Sequence, residues 1–189
     1  MNLETDRLFI KNGTIEDFIK VYEYNFLKLE DIAGEFEYER QNPKEIETWF
    51  GGDISKYYKK LKMENNYDLI LYLKDNNTPI GNLLLHQINN EEKSIEITCY
   101  VHPNYWGNGY MQEAILEILP ILYSIGFEAV IYSYGEGNIK SAKLCSKLEF
   151  ELESIKKDNY TRNGIKISTY RNILTKDRYN DLYVKNKKL

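Results

Sequence analysis

The stretch from Ser94 to Tyr134 constrains the fold more than any other part of the chain. Ser94 to Val101 alternates as a strand, with Ile95, Ile97, Cys99 and Val101 on one face. A loop follows, Pro103-Asn104-Tyr105-Trp106-Gly107-Asn108-Gly109. Met111, Ala114, Ile115, Ile118 and Leu122 then recur at helical spacing, and Gly126 supplies a stop. Phe127 to Tyr134 reads as another strand. Two strands joined through a helix pair in parallel, because the crossover returns the chain to the end of the sheet where it started. Pro120 removes a hydrogen bond to the Leu116 carbonyl and is expected to bend the helix.

The flanks follow other patterns. Leu8 to Asn12 reads as a first strand, broken by Gly13. Thr14 and Asp17 form a weak capping box, and Phe18, Val21 and Tyr22 continue at helical spacing. Asn42-Pro43 restarts a helix lined by Ile46, Trp49 and Phe50, which Gly51-Gly52 ends, and a further helix is expected from Ser55 to Lys62. Leu69 to Leu73 is a dense apolar run suited to a buried strand. Asp75-Asn76-Asn77 turns into a strand from Ile80 to Gln87, and Asn89-Asn90 turns into Ser94, completing an antiparallel meander. Asn138 caps a helix to about Leu148. Phe150 to Lys156 and Ile165 to Ile173 form a closing hairpin around Asn163-Gly164. The expected fold class is α/β (α+β), with a mixed, mostly antiparallel central sheet and helices on both faces. No repeat or linker interrupts the chain, so residues 1–189 read as a single domain.

The totals exclude several function classes. A net charge of −4 carries no basic footprint for nucleic acid. No apolar run approaches the length of a membrane span. Cys99 and Cys145 are far apart in sequence, as expected of a cytoplasmic chain rather than a disulfide scaffold, and no apolar signal core is seen near Met1. His86 and His102 have no second ligand at zinc spacing, so no metal is expected, and His86 reads as a structural histidine.

Strand, Gly107-Asn108-Gly109 and helix together make a phosphate-binding candidate. Glycines let backbone amides crowd toward one point, and a helix N-terminus adds partial positive charge. The plain alternative is a strand-to-helix turn. No Lys-Ser or Lys-Thr follows at P-loop spacing, and Gln112 stands where a dinucleotide fingerprint needs a small residue.

The whole stretch from Glu96 through Ala114 closely resembles the acetyl-CoA-binding motif of GNAT acetyltransferases, within them the RimJ/RimL-like branch named for ribosomal-protein N-terminal acetyltransferases. Glu4-Thr5-Asp6-Arg7-Leu8, Asn138-Ile139-Lys140-Ser141 and Leu148-Glu149-Phe150 resemble that branch as well. The resemblance implies a GNAT-like sheet and acetyl-CoA as co-substrate. It implies that amides from Gly107 through Asn108, Gly109, Tyr110, Met111 and Gln112 wrap the pyrophosphate. The strand end at Tyr100 and Val101 would pair with the pantetheine arm, and Asn138 would cap its helix and touch the pantetheine or a bridging water. Trp106 and Met111 stand at the first and last positions of the general Q/R-x-x-G-x-G/A pattern and depart from it, and Glu149 stands where the family usually has Gly. Lys143 or Lys147 would meet the adenosine phosphate, or be a solvated helix position.

The chemistry implied is attack of a neutral amine on the thioester. Glu96 is the base candidate, its alternative being a surface carboxylate on a half-exposed strand. An amide near Tyr100 or Val101 would stabilise the oxyanion. Where many GNAT enzymes carry a Tyr as acid, seven residues after the capping Asn, this chain has Cys145, either an acid or a small core residue. Ser141, Tyr132 and Tyr134 are alternative donors, or the thiolate leaves unaided. Glu30 to Phe50 and the closing hairpin are expected to hold the acceptor, with Glu35, Glu37, Glu39, Tyr38 and Trp49 either recognising a cationic amine or forming a solvated acidic loop and core aromatics. The acceptor would be a peptide N-terminus, a polyamine or another small amine, and a homodimer stays open. Two other classes compete: a catalytically silent acyl-CoA-binding regulatory module, and an interaction protein with no CoA site.

Overall fold

Alternation along the strands and helical periodicity between them build one sheet of eight strands among the described residues. The computed structural model describes residues 2–18, 20–21, 66–162 and 164–185. The strands are β1 (Asn2–Glu4), β2 (Leu8–Asn12), β3 (Tyr67–Leu73), β4 (Pro79–Asn89), β5 (Ser94–Val101), β6 (Ala129–Gly135), β7 (Glu151–Arg162) and β8 (Ile165–Thr175). Their spatial order is β1-β2-β3-β4-β5-β6-β8-β7. Every neighbouring pair is antiparallel except β5 and β6, which are parallel. Helix α1 (Tyr110–Ser124) makes the crossover between them, as the Ser94–Tyr134 pattern requires. Helix α2 (Ile139–Lys147) and a short helix α3 (Lys176–Tyr179) follow, with a π-helical turn at Asn180–Lys185.

The sheet is covered on both faces. On one, Leu69, Leu71, Leu83, Leu85, Ile95, Ile97 and Val130 pack with Ala114, Ile115, Ile118 and Leu122 of α1. On the other, Phe18 and Val21 pack with Ile70, Tyr72 and Leu84. Residues 69–72 are therefore buried in succession, which explains their unbroken apolar run. The helices expected at Asn42–Phe50 and Ser55–Lys62, and Tyr22, lie outside the described residues.

Boundaries differ from expectation in ways the capping explains. Helix α1 continues past Pro120, which is exposed, and ends at a Schellman turn: the Phe127 amide donates to the Leu122 carbonyl (3.2 Å) and Gly126 has φ 110°. Phe127 is thereby spent on the cap, and β6 starts two residues later, at Ala129. The closing hairpin runs longer than expected, to Arg162 and Thr175. Strand β1 and the C-terminal helix were not expected. The latter is anchored by aromatic packing of Tyr179 on Tyr123 (4.9 Å between ring centres), whose hydroxyl donates to the Leu174 carbonyl (2.8 Å).

Helix α2 ends at the same kind of turn, with the Phe150 amide donating to the Cys145 carbonyl (3.1 Å), but here the left-handed position is Glu149, φ 61°. The family-typical Gly is absent, yet the turn is kept. Arg178 supports it by donating to the Glu149 carbonyl (2.9 Å). A non-glycine residue in this conformation costs about 1–2 kcal/mol, and the exposed Arg178–Glu149 side-chain pair offsets little of that. Glu149→Gly, which keeps the backbone acceptor, is expected to raise unfolding free energy by about 1 kcal/mol. Urea denaturation of the two proteins tests this, and an unchanged or lower midpoint refutes it.

Candidate active site

The parallel pairing of β5 with β6 is short. It joins Ser94 to Ala129, Ile95 to Val130, Glu96 to Ile131 and Ile97 to Tyr132, and goes no further. Yet β5 continues to Val101 and β6 to Gly135. Beyond Ile97 each strand follows its other neighbour. Tyr100 and Val101 stay in register with Asn82 and Gly81 of β4, and Ser133 to Gly135 stay with β8. Gly81 makes the first alignment close, since a Cβ there would run into the Tyr100 carbonyl oxygen. The result is a split within the sheet, edged by the backbones of Thr98–Val101 and Ser133–Gly135.

The glycine loop closes the mouth of this split. Trp106 Nε1 donates to the Val101 carbonyl (2.6 Å), fixing the loop to the strand end. Pro103–Tyr105 forms a 3₁₀ turn, and Gly107 and Gly109 adopt φ 80° and 78°, where a Cβ is disfavoured. A Cβ at Gly107 would meet nothing within 4 Å, so its demand is conformational rather than steric. Asn108 Nδ2 donates to the carbonyls of Tyr105 (3.1 Å) and Trp106 (3.2 Å). The first backbone amide of α1 to bond within the helix is that of Glu113, to the Gly109 carbonyl (3.0 Å). The amides of Tyr110, Met111 and Gln112 therefore precede the helical ladder at its positive end. This donor set suits a pyrophosphate.

Helix α2 brings a second N-terminus. Asn138 Oδ1 accepts from the Ser141 amide (2.9 Å), which is the cap expected of it. The Lys140 ammonium sits 3.3 Å from the centre of the Trp106 ring, a cation–π contact that ties α2 to the loop. Lys143 and Lys147 are exposed on the same helix.

Two polar clusters flank the split, on opposite faces of the sheet. On the α1 side, Tyr132 Oη lies 3.3 Å from both Ser141 Oγ and Cys99 Sγ. Burial raises all the titratable members. The Tyr132 phenol stands well above its ordinary value, and the Cys99 thiol is pushed up to about 11 despite its bond to Tyr132. Cys145 is 3% exposed, packs in the main core and is pushed up to about 12 by burial. Tyr134 is half-buried and stacks on Tyr170.

On the other face Glu96 is 9% exposed, just before the strands part. It is opposite His86 in the β4–β5 register, and Arg171 Nη1 of β8 approaches to 3.9 Å. His86 Nε2 is 2.8 Å from Thr98 Oγ1. Burial lowers the His86 pKa, only partly opposed by the Glu96 charge, so the ring is neutral at pH 7. Further along the same face, Asn82 donates to the buried Asp68 carboxylate (2.8 Å). Arg171 also pairs with Glu153. Arg171, Thr98 and Lys140 were not singled out from sequence. Thr98 follows from alternation two residues after Glu96, whereas Arg171 is found only through the β6–β8 register. Glu35, Glu37, Glu39, Tyr38 and Trp49 lie outside the described residues. No group of three or more His, Cys, Asp or Glu among the described residues is arranged to hold a metal, and no described helix is long and apolar enough to cross a membrane.

A mixed sheet split at its one parallel pair, with a glycine loop beside the gap, is the fold of known acetyltransferases. Residues 7–151 match the acetyltransferase (GNAT) domain family, and the chain belongs to that family of acetyl-CoA-dependent N-acetyltransferases. No curated protein sequence matches significantly. Solved structures share the fold. A GNAT-family acetyltransferase from Bacillus anthracis is 19% identical with a TM-score of 0.72, covering 94% of this chain and 99% of that one. The ribosomal-protein-S5-alanine acetyltransferase of Vibrio fischeri is 17% identical, TM-score 0.69, covering 94% and 97%. A microcin C7 self-immunity acetyltransferase in complex with acetyl-CoA and AMP is 14% identical, TM-score 0.68, covering 90% and 93%.

The thiol shifts have a measurable consequence. Both thiols remain protonated at neutral pH, so in the native protein Cys99 and Cys145 are expected to react with Ellman's reagent far more slowly than after unfolding in guanidinium. Their raised values contribute stability that is complete below about pH 9 and is lost as pH climbs through the native values. Rapid native labelling of either thiol at pH 7.5 contradicts this.

Proposed function

We propose that the chain is an N-acetyltransferase of the RimJ/RimL-like branch, moving the acetyl group of acetyl-CoA directly to a primary amine of a peptide N-terminus or a small molecule. The observation that carries this reading is the split after Ile97 and Tyr132, with Glu96 on one face and the Tyr132–Ser141 pair on the other. Acetyl-CoA would enter with its pyrophosphate on the amides of Gly107 to Gln112 and its pantetheine along Tyr100 and Val101. The amine would arrive from the Glu96 face.

Glu96 takes the proton of the ammonium, directly or through water. The nitrogen lone pair then forms the N–C bond to the thioester carbon while the C–S bond breaks. An amide near Tyr100 or Val101 donates to the carbonyl oxygen. As the C–S bond breaks the nitrogen gives up its second proton, and the leaving sulfur takes one relayed through Ser141, whose hydroxyl accepts a hydrogen bond from Tyr132 and ends the step protonated again. Cys145 stays the weaker acid candidate, since its burial in the core favours a packing role. Glu96 on the acceptor face, which Arg171 approaches only to 3.9 Å, is the carboxylate that would meet the amine. The Vibrio fischeri neighbour's ribosomal-protein label supports a peptide N-terminus, although fold alone does not fix an acceptor. A cytoplasmic location fits this reading.

Burial of Cys145, where the family's usual acid stands, also favours a second reading, a catalytically silent acyl-CoA-binding module. Calorimetry and turnover separate the two. Acetyl-CoA is expected to bind at about micromolar strength, and Gly109→Trp, which strains φ 78° and crowds Arg7, is expected to abolish binding. Glu96→Gln is expected to lower kcat with an amine acceptor by about 100-fold with acetyl-CoA affinity preserved. Binding without turnover of any amine supports the silent module, and an unchanged kcat in Glu96→Gln removes the base assignment.

A further inference from the structure

The segment before β2 is tied to the first turn of α1 and to the glycine loop by a connected set of polar contacts. Thr5 Oγ1 donates to Glu113 Oε1, and the Arg7 backbone amide donates to the same oxygen (3.1 Å). The Arg7 guanidinium donates through Nε (2.7 Å) to Glu113 Oε2, and its Nη2 lies 2.5 Å from the same oxygen in an ion pair. Its remaining nitrogen, Nη1, donates to the Asn108 carbonyl (3.0 Å). The guanidinium carbon lies 4.5 Å from the centre of the Tyr110 ring. Burial alone would raise the Glu113 carboxyl, but the Thr5 and Arg7 hydrogen bonds and the Arg7 charge hold it below its ordinary range, so it is ionised at neutral pH.

This arrangement acts on the peptide between Asn108 and Gly109. A trans peptide points its carbonyl and its amide hydrogen in opposite directions. Holding the Asn108 carbonyl toward Arg7 turns the Gly109 amide away from Arg7. The Asn108 side chain does the same two peptides earlier: by holding the Trp106 carbonyl it orients the Gly107 amide. Two glycine amides are thus aimed without a ligand. Glu113 holds Arg7, Arg7 holds the loop, and both sit in the first turn of α1 or against it.

We propose that Arg7, set by Glu113 and Thr5, is a positioning residue that pre-orients the pyrophosphate loop and so determines affinity for the nucleotide half of acetyl-CoA. The inference rests on the acetyl-CoA site proposed above and adds the segment Thr5–Arg7 to it. Pre-orientation removes an ordering cost that the ligand would otherwise bear. Arg7 is required as Arg, because one ammonium cannot bond Asn108 and Glu113 together in the same fork.

Calorimetric affinities for acetyl-CoA and for acetyl-pantetheine, which lacks the pyrophosphate, test it in the wild-type chain, Arg7→Met and Arg7→Lys, with melting temperatures recorded in parallel. Arg7→Met is expected to weaken acetyl-CoA binding about tenfold and to leave acetyl-pantetheine binding unchanged, with Arg7→Lys in between. If the wild-type chain binds no acetyl-CoA, the cofactor reading itself fails and the positioning role with it. If the wild-type chain binds and both variants match it, only the positioning role is overturned. An equal loss toward both ligands, accompanied by a lower melting temperature, also overturns it, because that pattern marks a contact serving the fold. Should Arg7→Met not fold, Arg7→Lys alone decides between these outcomes.

Discussion

The four-residue parallel ladder between β5 and β6 is the interaction on which the rest depends. Were it longer, there would be no cleft. Were it absent, β1–β5 and β6–β8 would be two separate sheets. Its length is set by competition. Val101 and Tyr100 are held on β4 by the close approach at Gly81, and Ser133 to Gly135 are held on β8, so each strand follows its antiparallel neighbour once the crossover helix has fixed the start. Parallel pairing is slightly weaker per residue than antiparallel pairing, and here it is the one that gives way.

Around this split the chain distributes its chemistry by face. Alternation sends Ile95 and Ile97 into the α1 core and Glu96 to the opposite side. The phenol and hydroxyl of Tyr132 and Ser141 lie with α1 and α2, whereas Glu96, His86, Thr98 and Arg171 face the other way. Base and acid candidates are therefore separated by the thickness of a sheet and joined only through the gap. In the reading proposed above, such a division would give each substrate its own side of approach and keep the acidic groups of one side away from the phosphates on the other.

Most of the fold was legible because its signals are local. The Ser94–Tyr134 unit, the Asn138 cap and the meander turns are written in contiguous residues, and the expected mixed sheet with a parallel β5–β6 pair is what forms. What was not legible depends on contacts distant in sequence. Strand β1 is three residues long and exists because Asn2–Glu4 pairs with β2. The C-terminal helix is held by Tyr123, more than fifty residues away in sequence. Glu149 reads as a broken cap until Arg178 is brought beneath it. At the candidate site, the glycine loop and Glu96 were proposed from pattern, whereas the approach of Arg171 to Glu96, and the grip of Arg7 on the loop, required knowing which strand and which helix turn lie beside them.

The brevity of the β5–β6 ladder has a mechanical side. The two half-sheets are stitched by four residue pairs, and the rest of their union rests on α1 and the apolar core beneath it. Any elongated molecule that lodges between Thr98–Val101 and Ser133–Gly135, offering donors and acceptors to both edges, lengthens that seam and becomes a temporary strand of the protein. Its binding energy is then shared with the fold, so the resistance of the whole molecule to heat or denaturant rises with its concentration. In that sense the gap is a deliberate omission in the masonry, and whatever fills it serves as the keystone.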